Sequence, residues 1–303
     1  MRALRAWLAL ILLVALVGGK KRANSEPEPD QTPAMAAAEA EAMQEMRAEM
    51  LEALKGIKAS LAHASASAAR PALEQLIEIA LMTGEAASEA RSFRSAVVAG
   101  GALAAVIQTL SVRPGPEADQ LHYLAAAALH ALALDDPTTD LDNFHQEEIC
   151  QAGAVPPLVA LLTESSDPRV ALAVMGALGS LGENPTCQKM IAEAGAIAPL
   201  LQVANYGTDL AKVAAMNALE VLEINNPKVR AELDAGGAAK LLQGLGSVGS
   251  GLLREQAREF DGRLKDKPPK AGLGAEQHVR AARDTRMRYD GVRSRIQRMM
   301  SGG

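Results

Sequence analysis

The sequence predicts an all-α solenoid of about four stacked three-helix repeats, with extra helices at its N- and C-terminal ends. Three observations carry that prediction. The first is composition: of 303 residues 49% are hydrophobic but only 2% aromatic, and 60 are alanine. Strands favour the aromatic and β-branched residues that are thin here, which argues against large β-rich classes. A platform that stacks nucleic-acid bases on rings is disfavoured for the same reason. Small side chains in such number suit helices that approach closely. The second observation is a period. Helix-breaking steps recur at Ala99-Gly100-Gly101, Ala152-Gly153-Ala154, Ala194-Gly195-Ala196 and Ala235-Gly236-Gly237, their second residues 53, 42 and 41 apart. The third runs in phase with it. Asp136-Pro137, Asn184-Pro185 and Asn226-Pro227 place a proline 37, 32 and 32 residues after the preceding step. A fixed period of this length marks a repeat array.

From the N-terminus, Arg2 and Arg5 precede an apolar run, Trp7 to Val17, that ends at Gly18-Gly19. Basic, apolar and small residues in that order describe a secretory signal over residues 1–22. The run is shorter than the roughly 20 residues of a spanning helix. The Lys20-Lys21-Arg22 cluster leaves a signal anchor over residues 6–19 open as the alternative. The expected localisation is therefore the secretory pathway, with the endoplasmic reticulum lumen foremost. Residues 23–34, with three prolines and three acids, read as a linker. Met43, Met46, Met50, Leu54, Ile57 and Leu61 then recur at helical spacing, so residues 35–64 form an amphipathic helix that needs a cover.

The repeat domain spans residues 70–264 and opens with a lead-in helix, Pro71–Thr83, that caps the stack. In each repeat a proline pre-sets the first turn of a short helix, and glycine ends that helix in the left-handed conformation. A second helix follows, as in Val155–Leu162 and Ile197–Ala204. A polar turn such as Glu164-Ser165-Ser166-Asp167 then leads to a longer third helix, Pro168–Leu181 or Asp209–Leu222. Leu178/Leu181 and Leu219/Leu222 face the stacked core. The first repeat is lengthened by a loop at Ser111–Ala118 and an acidic insertion around Asp135–Glu148. No single repeat buries its own apolar face, so the array is one cooperative domain.

At residues 147–162 (EEICQAGAVPPLVALL) and 184–201 (NPTCQKMIAEAGAIAPLL) the chain resembles the armadillo-repeat family. About 195 residues share the pattern. The resemblance implies a right-handed superhelix whose third helices line a concave, protein-binding face. That places Tyr123, Ala127, Ala131, Gly176, Ser180, Val213, Asn217 and Val221 on the partner surface. Importin-like members carry a Trp and an Asn four residues apart on each third helix. Here those positions read Ala127/Ala131, Gly176/Ser180 and Asn217/Val221, so the ladder that pairs with extended peptides is missing. A short array behind a secretory signal is similar to the endoplasmic reticulum armadillo-type nucleotide exchange factors of 70-kDa heat-shock chaperones. The matching features are the helical segment Met35–Leu61, the lead-in Ala72–Leu81 and the step Gly100-Gly101-Ala102-Leu103. That resemblance implies a non-enzymatic co-chaperone whose concave side embraces the chaperone's nucleotide-binding domain and opens it. The alternative is a generic armadillo scaffold or adaptor, membrane-anchored or secreted.

No catalytic, cofactor or metal site is expected. The sequence holds no Walker loop, G-x-S-x-G elbow or H-E-x-x-H motif. His122 and His130, eight apart, read as solvated or capping residues, and Cys150 and Cys187 as free helical thiols. Gly244–Gly251 reads as a flexible turn. The net charge of −5 resolves into +5 over residues 1–22, −16 over 23–253 and +6 over 254–303. After a linker at 265–275, residues 276–303 form a basic helical tail with Arg280, Arg283, Arg286 and Arg293 on its surface. Val292, Ile296 and Met299 give that tail an apolar stripe. Such a helix docks on an acidic surface or lies on an anionic membrane. Docking on the −16 body, with the tail filling the chain's own groove, is the expectation.

Overall fold

The structure, a computed structural model, describes residues 33–62, 66–81, 87–112, 116–134, 144–265 and 277–285. Every regular element among them is an α-helix. The expected signal or anchor, most of residues 23–34, the Asp136-Pro137 marker and the 266–275 linker lie outside the described residues.

Two helices, α1 (Pro33–Ala62) and α2 (Ala66–Ala80), precede four three-helix units. The first unit is α3 (Ala87–Ala99), α4 (Ala102–Leu110) and α5 (Pro116–Ala133). The second is α6 (Phe144–Gln151), α7 (Val155–Glu164) and α8 (Pro168–Leu181). The third is α9 (Pro185–Glu193), α10 (Ile197–Tyr206) and α11 (Asp209–Glu223). The fourth is α12 (Pro227–Ala235), α13 (Ala238–Val248) and α14 (Gly251–Lys265). A last helix, α15, covers residues 277–285.

Local chemistry sets these boundaries. Asn184 and Asn226 cap α9 and α12, and each helix has proline in its first turn. The Asn184 Oδ1 accepts from the backbone N–H of Thr186 (2.9 Å) and Cys187 (3.1 Å), satisfying donors that a helix start leaves unpaired. Asp167 and Thr208 do the same for the third helices α8 and α11. Left-handed glycine stands between first and second helices at Gly101, Gly153, Gly195 and Gly237, with φ of 79°, 90°, 81° and 74°. Those residues are 52, 42 and 42 apart. At the two double-glycine steps the left-handed residue is thus the second glycine, which makes the last two intervals equal. A Cβ at Gly195 would meet nothing within 4 Å, yet its backbone conformation is costly for any other residue. Gly195→Ala is expected to lower stability by about 1 kcal/mol; an unchanged urea midpoint would contradict this.

The third helices α5, α8, α11 and α14 pack side by side, and α2 extends the row at its N-terminal end. Leu178, Leu181, Leu219 and Leu222 are buried between them, with Ala125, Ala126, Ala128 and Ala131 of α5 at 0% exposure. Alanine there lets helix axes approach to about 8–10 Å. The cover required by the α1 stripe is the domain itself. Met50, Leu54, Ile57 and Leu61 are buried, and α1 lies over α2, α3 and α4. The side chains of Met43 and Met46 lie outside the described residues.

Three expectations need correction. Cys150 and Cys187 are not free: they form a disulfide, with Cα atoms 5.7 Å apart. Neighbouring first helices α6 and α9 pack together, and the stacking brings the end of one against the first turn of the next. Gly244–Gly251 is not one turn, because α13 continues to Val248 and only Gly249-Ser250 break the chain. A Cβ at Gly244 would meet nothing, and glycine in a helix is tolerated at modest cost. Finally, α5 begins at Pro116, inside the expected loop, with Glu117 and Asp119 favourably placed in its first turn.

Candidate functional site: the concave third-helix face

The expected partner residues divide into two groups. Tyr123, Ala127 and Gly176 are partly exposed on α5 and α8. Ala131, Ser180, Val213, Asn217 and Val221 are buried, none more than 4% exposed, and offer no free surface. The division has a physical cause. On α11 every residue from Val213 to Leu222 is buried, although an outer helix ordinarily keeps a solvated face. Flanking helices α8 and α14 and underlying α10 account for three sides. The fourth is closed by α15.

That closure is held by named contacts. The Asn217 Nδ2 donates to the Thr285 carbonyl (3.2 Å). Arg263 of α14 donates to the Glu220 carboxylate (3.1 Å) and to the Thr285 hydroxyl (3.3 Å). Gln256 donates to the same carboxylate (3.4 Å), so Glu220, 2% exposed, sits among donors that favour its charge. At the other end of α15, His278 hydrogen-bonds to the backbone of Gly182, where α8 ends. His278, Val279, Ala282, Arg283 and Thr285 are buried, while Gln277, Arg280 and Asp284 are exposed.

Of the expected basic tail surface, Arg280 is exposed. Arg283 is not a surface residue: at 8% exposure it lies on the inner side of α15, one helical turn after Val279. Arg286 and Arg293 lie outside the described residues.

Burial pushes the His278 imidazole below the ordinary histidine range, against an opposing contribution from its hydrogen bond to Gly182. The docked tail therefore prefers the neutral ring. Docking is fully supported above the unperturbed value of about 6.5 and weakens as pH falls through the lower docked value. An NMR titration should place the His278 midpoint below 6.5, and His278→Gln should remove the acid-induced gain in proteolysis of the tail. A midpoint at or above 6.5 contradicts the docked geometry.

The open half is different. Arg169 stands over the Tyr123 ring, 6.0 Å from its centroid, and donates to Gln120 (3.3 Å). Its pairing with Asp167 holds that carboxyl below the usual carboxylate range, the side-chain hydrogen bond being the main cause. Further along, the Ser180 hydroxyl and His130 Nδ1 are 2.9 Å apart, joining α8 to α5. A Cβ on Gly176 would touch the His130 ring at 3.7 Å. His130 is thus a half-buried element of this face rather than a solvated residue. His122 is fully buried and caps, with its Nε2 2.9 Å from the Val112 carbonyl. Sequence reasoning missed the roles of His130, Glu220, Gln256, Arg263 and His278. The spacing of His278, Ala282 and Thr285 was the one available signal. Among the described residues no cluster of His, Cys, Asp and Glu is arranged to hold a metal ion. No single helix among them is long and apolar enough to cross a membrane.

Stacked left-handed-glycine repeats and a continuous row of third helices define an armadillo-type solenoid. Residues 145–182 match the family described as Armadillo/beta-catenin-like repeat. Among solved structures, a computationally designed armadillo repeat protein for modular peptide recognition is similar at TM-score 0.57 and 20% identity, over 73% of this chain and 92% of that one. A second designed armadillo repeat protein matches at 0.54 and 19%, over 76% and 98%. The armadillo-repeats-only protein of Plasmodium falciparum matches at 0.52 and 18%, over 65% and 80%. At these identities the likeness is one of fold. No curated protein matches the sequence at a significant level.

Proposed function

We propose that the chain is a non-enzymatic, protein-binding solenoid whose outward working surface is the open half of the concave face on α5 and α8. The observation that carries this reading is the pairing of Tyr123 with Arg169 among small neighbours, Ala127 and Gly176. Tyrosine and arginine dominate the energetics of protein interfaces, and small neighbours let a partner approach closely. The designed neighbour made for modular peptide recognition supports a protein or peptide as the class of ligand. Nucleic acid is disfavoured by the scarcity of aromatic platforms and the −16 charge of residues 23–253.

The finer reading is a nucleotide exchange co-chaperone for a lumenal 70-kDa heat-shock chaperone, acting without a cofactor of its own. Its support is the sequence resemblance of the short array and the signal-like N-terminus. The Cys150–Cys187 disulfide adds support, because such bonds persist in oxidising compartments and are rare in the cytosol. The alternative remains a scaffold, secreted or anchored by residues 6–19, with membrane-surface contact through the basic tail. Release of a fluorescent ADP analogue from the chaperone, followed by stopped flow, separates them. Acceleration that is lost in Tyr123→Ala and Arg169→Ala supports the exchange factor. Complex formation without acceleration supports the scaffold, and no complex at saturating protein removes the chaperone as partner.

A further inference from the structure

We propose that the C-terminal half of the concave face is a receptor for an α-helix, and that its outside partner is a basic helix with a small-residue inner face that displaces α15. The inference rests on the concave face being the working surface, as proposed above, and names what its covered half takes.

What sits in the groove shows the shape it accepts. Residues 278, 279, 282, 283 and 285 are buried and 277, 280 and 284 exposed, which is one face of a helix and not the alternation of an extended strand. The polar anchors stand at its two ends. His278 meets the backbone of Gly182 at the end of α8, and Thr285 meets Asn217 of α11 and Arg263 of α14. Seven helical steps rise about 10 Å, which matches the 8–10 Å between packed neighbouring helices. The groove thus takes a two-turn helix laid across adjacent third helices.

The floor fits that occupant. Gly179, Ser180 and Gly182 close the end of α8, and Ala282 on the occupant is fully buried. A larger side chain at 282 would hold the helix off, while Gly179 and Gly182 are the places where α8 comes close to Asn217, Val221 and Leu222 of α11. Glu183 and Glu220 are buried in the same region, and the body around them is strongly acidic. On its inner side the occupant carries Arg283, with Arg280 and Asp284 exposed, and further arginines follow in the sequence. Charge complementarity therefore selects a basic helix over an acidic one. An extended peptide has little to pair with, since Asn217 is the one amide among the six ladder positions.

The seat is suited to exchange. The segment is joined to α14 through the eleven residues 266–276. A short tether presents its own ligand at an effective concentration of about millimolar. An outside helix competes against that value and needs either higher affinity or release of the tail.

The test keeps the folded chain intact. A specific protease site is inserted at Pro268-Pro269, the protein is purified whole, and cleavage then converts the tail into a separate fragment. The probe is a fluorescent synthetic peptide of residues 274–303. Before cleavage it should bind at least ten-fold more weakly than after cleavage and exchange. Ala282→Glu in the peptide should abolish binding, and added salt should weaken it. Equal binding before and after cleavage, equal binding by the Ala282→Glu peptide, or cleavage that leaves a body with no affinity for the probe each overturns the proposal. No chaperone enters this assay, so its failure is distinguishable from failure of the exchange-factor reading.

Discussion

Loss of the Cys150–Cys187 bond is expected to lower the free energy of unfolding by about 4 kcal/mol. The two cysteines are 37 residues apart, and the loop between them contains all of α7 and α8. In the chain-entropy account, closing a loop of that length restricts the unfolded ensemble by about 4 kcal/mol. The bond joins the first helix of one repeat to the first helix of the next. In a solenoid, stability is a sum of repeat terms and neighbour interfaces, so this cross-link adds a covalent tie to the interface between two units. Both sulfurs are buried, with their residues at 0% exposure. Cys150→Ala/Cys187→Ala is the suitable variant, because alanine introduces no buried hydroxyl. Urea unfolding of the oxidised protein and of the double variant should differ by that amount, with a second, repeat-limited transition in the variant. A difference below about 1 kcal/mol would falsify the structural role of the bond. Thiol labelling in denaturant should find no free sulfhydryl in protein taken from an oxidising compartment.

The repeat was legible because its markers are local. An asparagine followed by proline caps a helix wherever it occurs, and a glycine that must turn left-handed cannot easily be replaced. The third and fourth units begin at those caps, and all four carry a left-handed glycine between their first and second helices. Register at Gly100-Gly101 and Gly236-Gly237 did not follow, since either glycine can take the left-handed conformation; only the backbone angle distinguishes them. The disulfide was hidden for a related reason. A 42-residue period aligns Cys187 with His145 and Cys150 with Ala192, so the cysteines are not equivalent positions. They meet because adjacent first helices are offset by more than a turn when stacked. On the concave face, the positions carried over by resemblance came in pairs four apart. Ala131, Ser180 and Val221, the second members, are buried in the helix row here. The tail's seat was the least legible part. Hydrophobic spacing pointed to Val292, Ile296 and Met299, whereas the described contact uses His278, Ala282 and Thr285, a face with almost no hydrophobic signal.

Arg263→Ala is expected to destabilise the protein by about 3 kcal/mol and to unseat the tail in the same step. Glu220 is 2% exposed on α11 and accepts from Arg263 at 3.1 Å. Removing the partner of a buried ion pair costs about 3–5 kcal/mol, because the remaining charge stays out of water. The lower end applies here: the Arg263 side chain is 31% exposed, so solvent already shares its charge, and Gln256 continues to donate to the carboxylate. The same guanidinium reaches the Thr285 hydroxyl at 3.3 Å, so its loss acts on the fold and on the groove's occupant together. Glu220→Gln provides the contrast. It keeps the shape and a hydrogen-bonding oxygen while removing the buried charge, and replacing a buried pair's charge is far less costly than stranding it. Its expected cost is about 1 kcal/mol. Urea midpoints give the stability difference, and hydrogen exchange at the α11 amides reports the tail. Arg263→Ala should raise exchange on the Asn217 side of α11 by more than global destabilisation accounts for. If both variants lose the same stability, Glu220 is not held as a charge by Arg263. If exchange on α11 tracks global stability alone, Arg263 supports the fold without holding α15 in the groove.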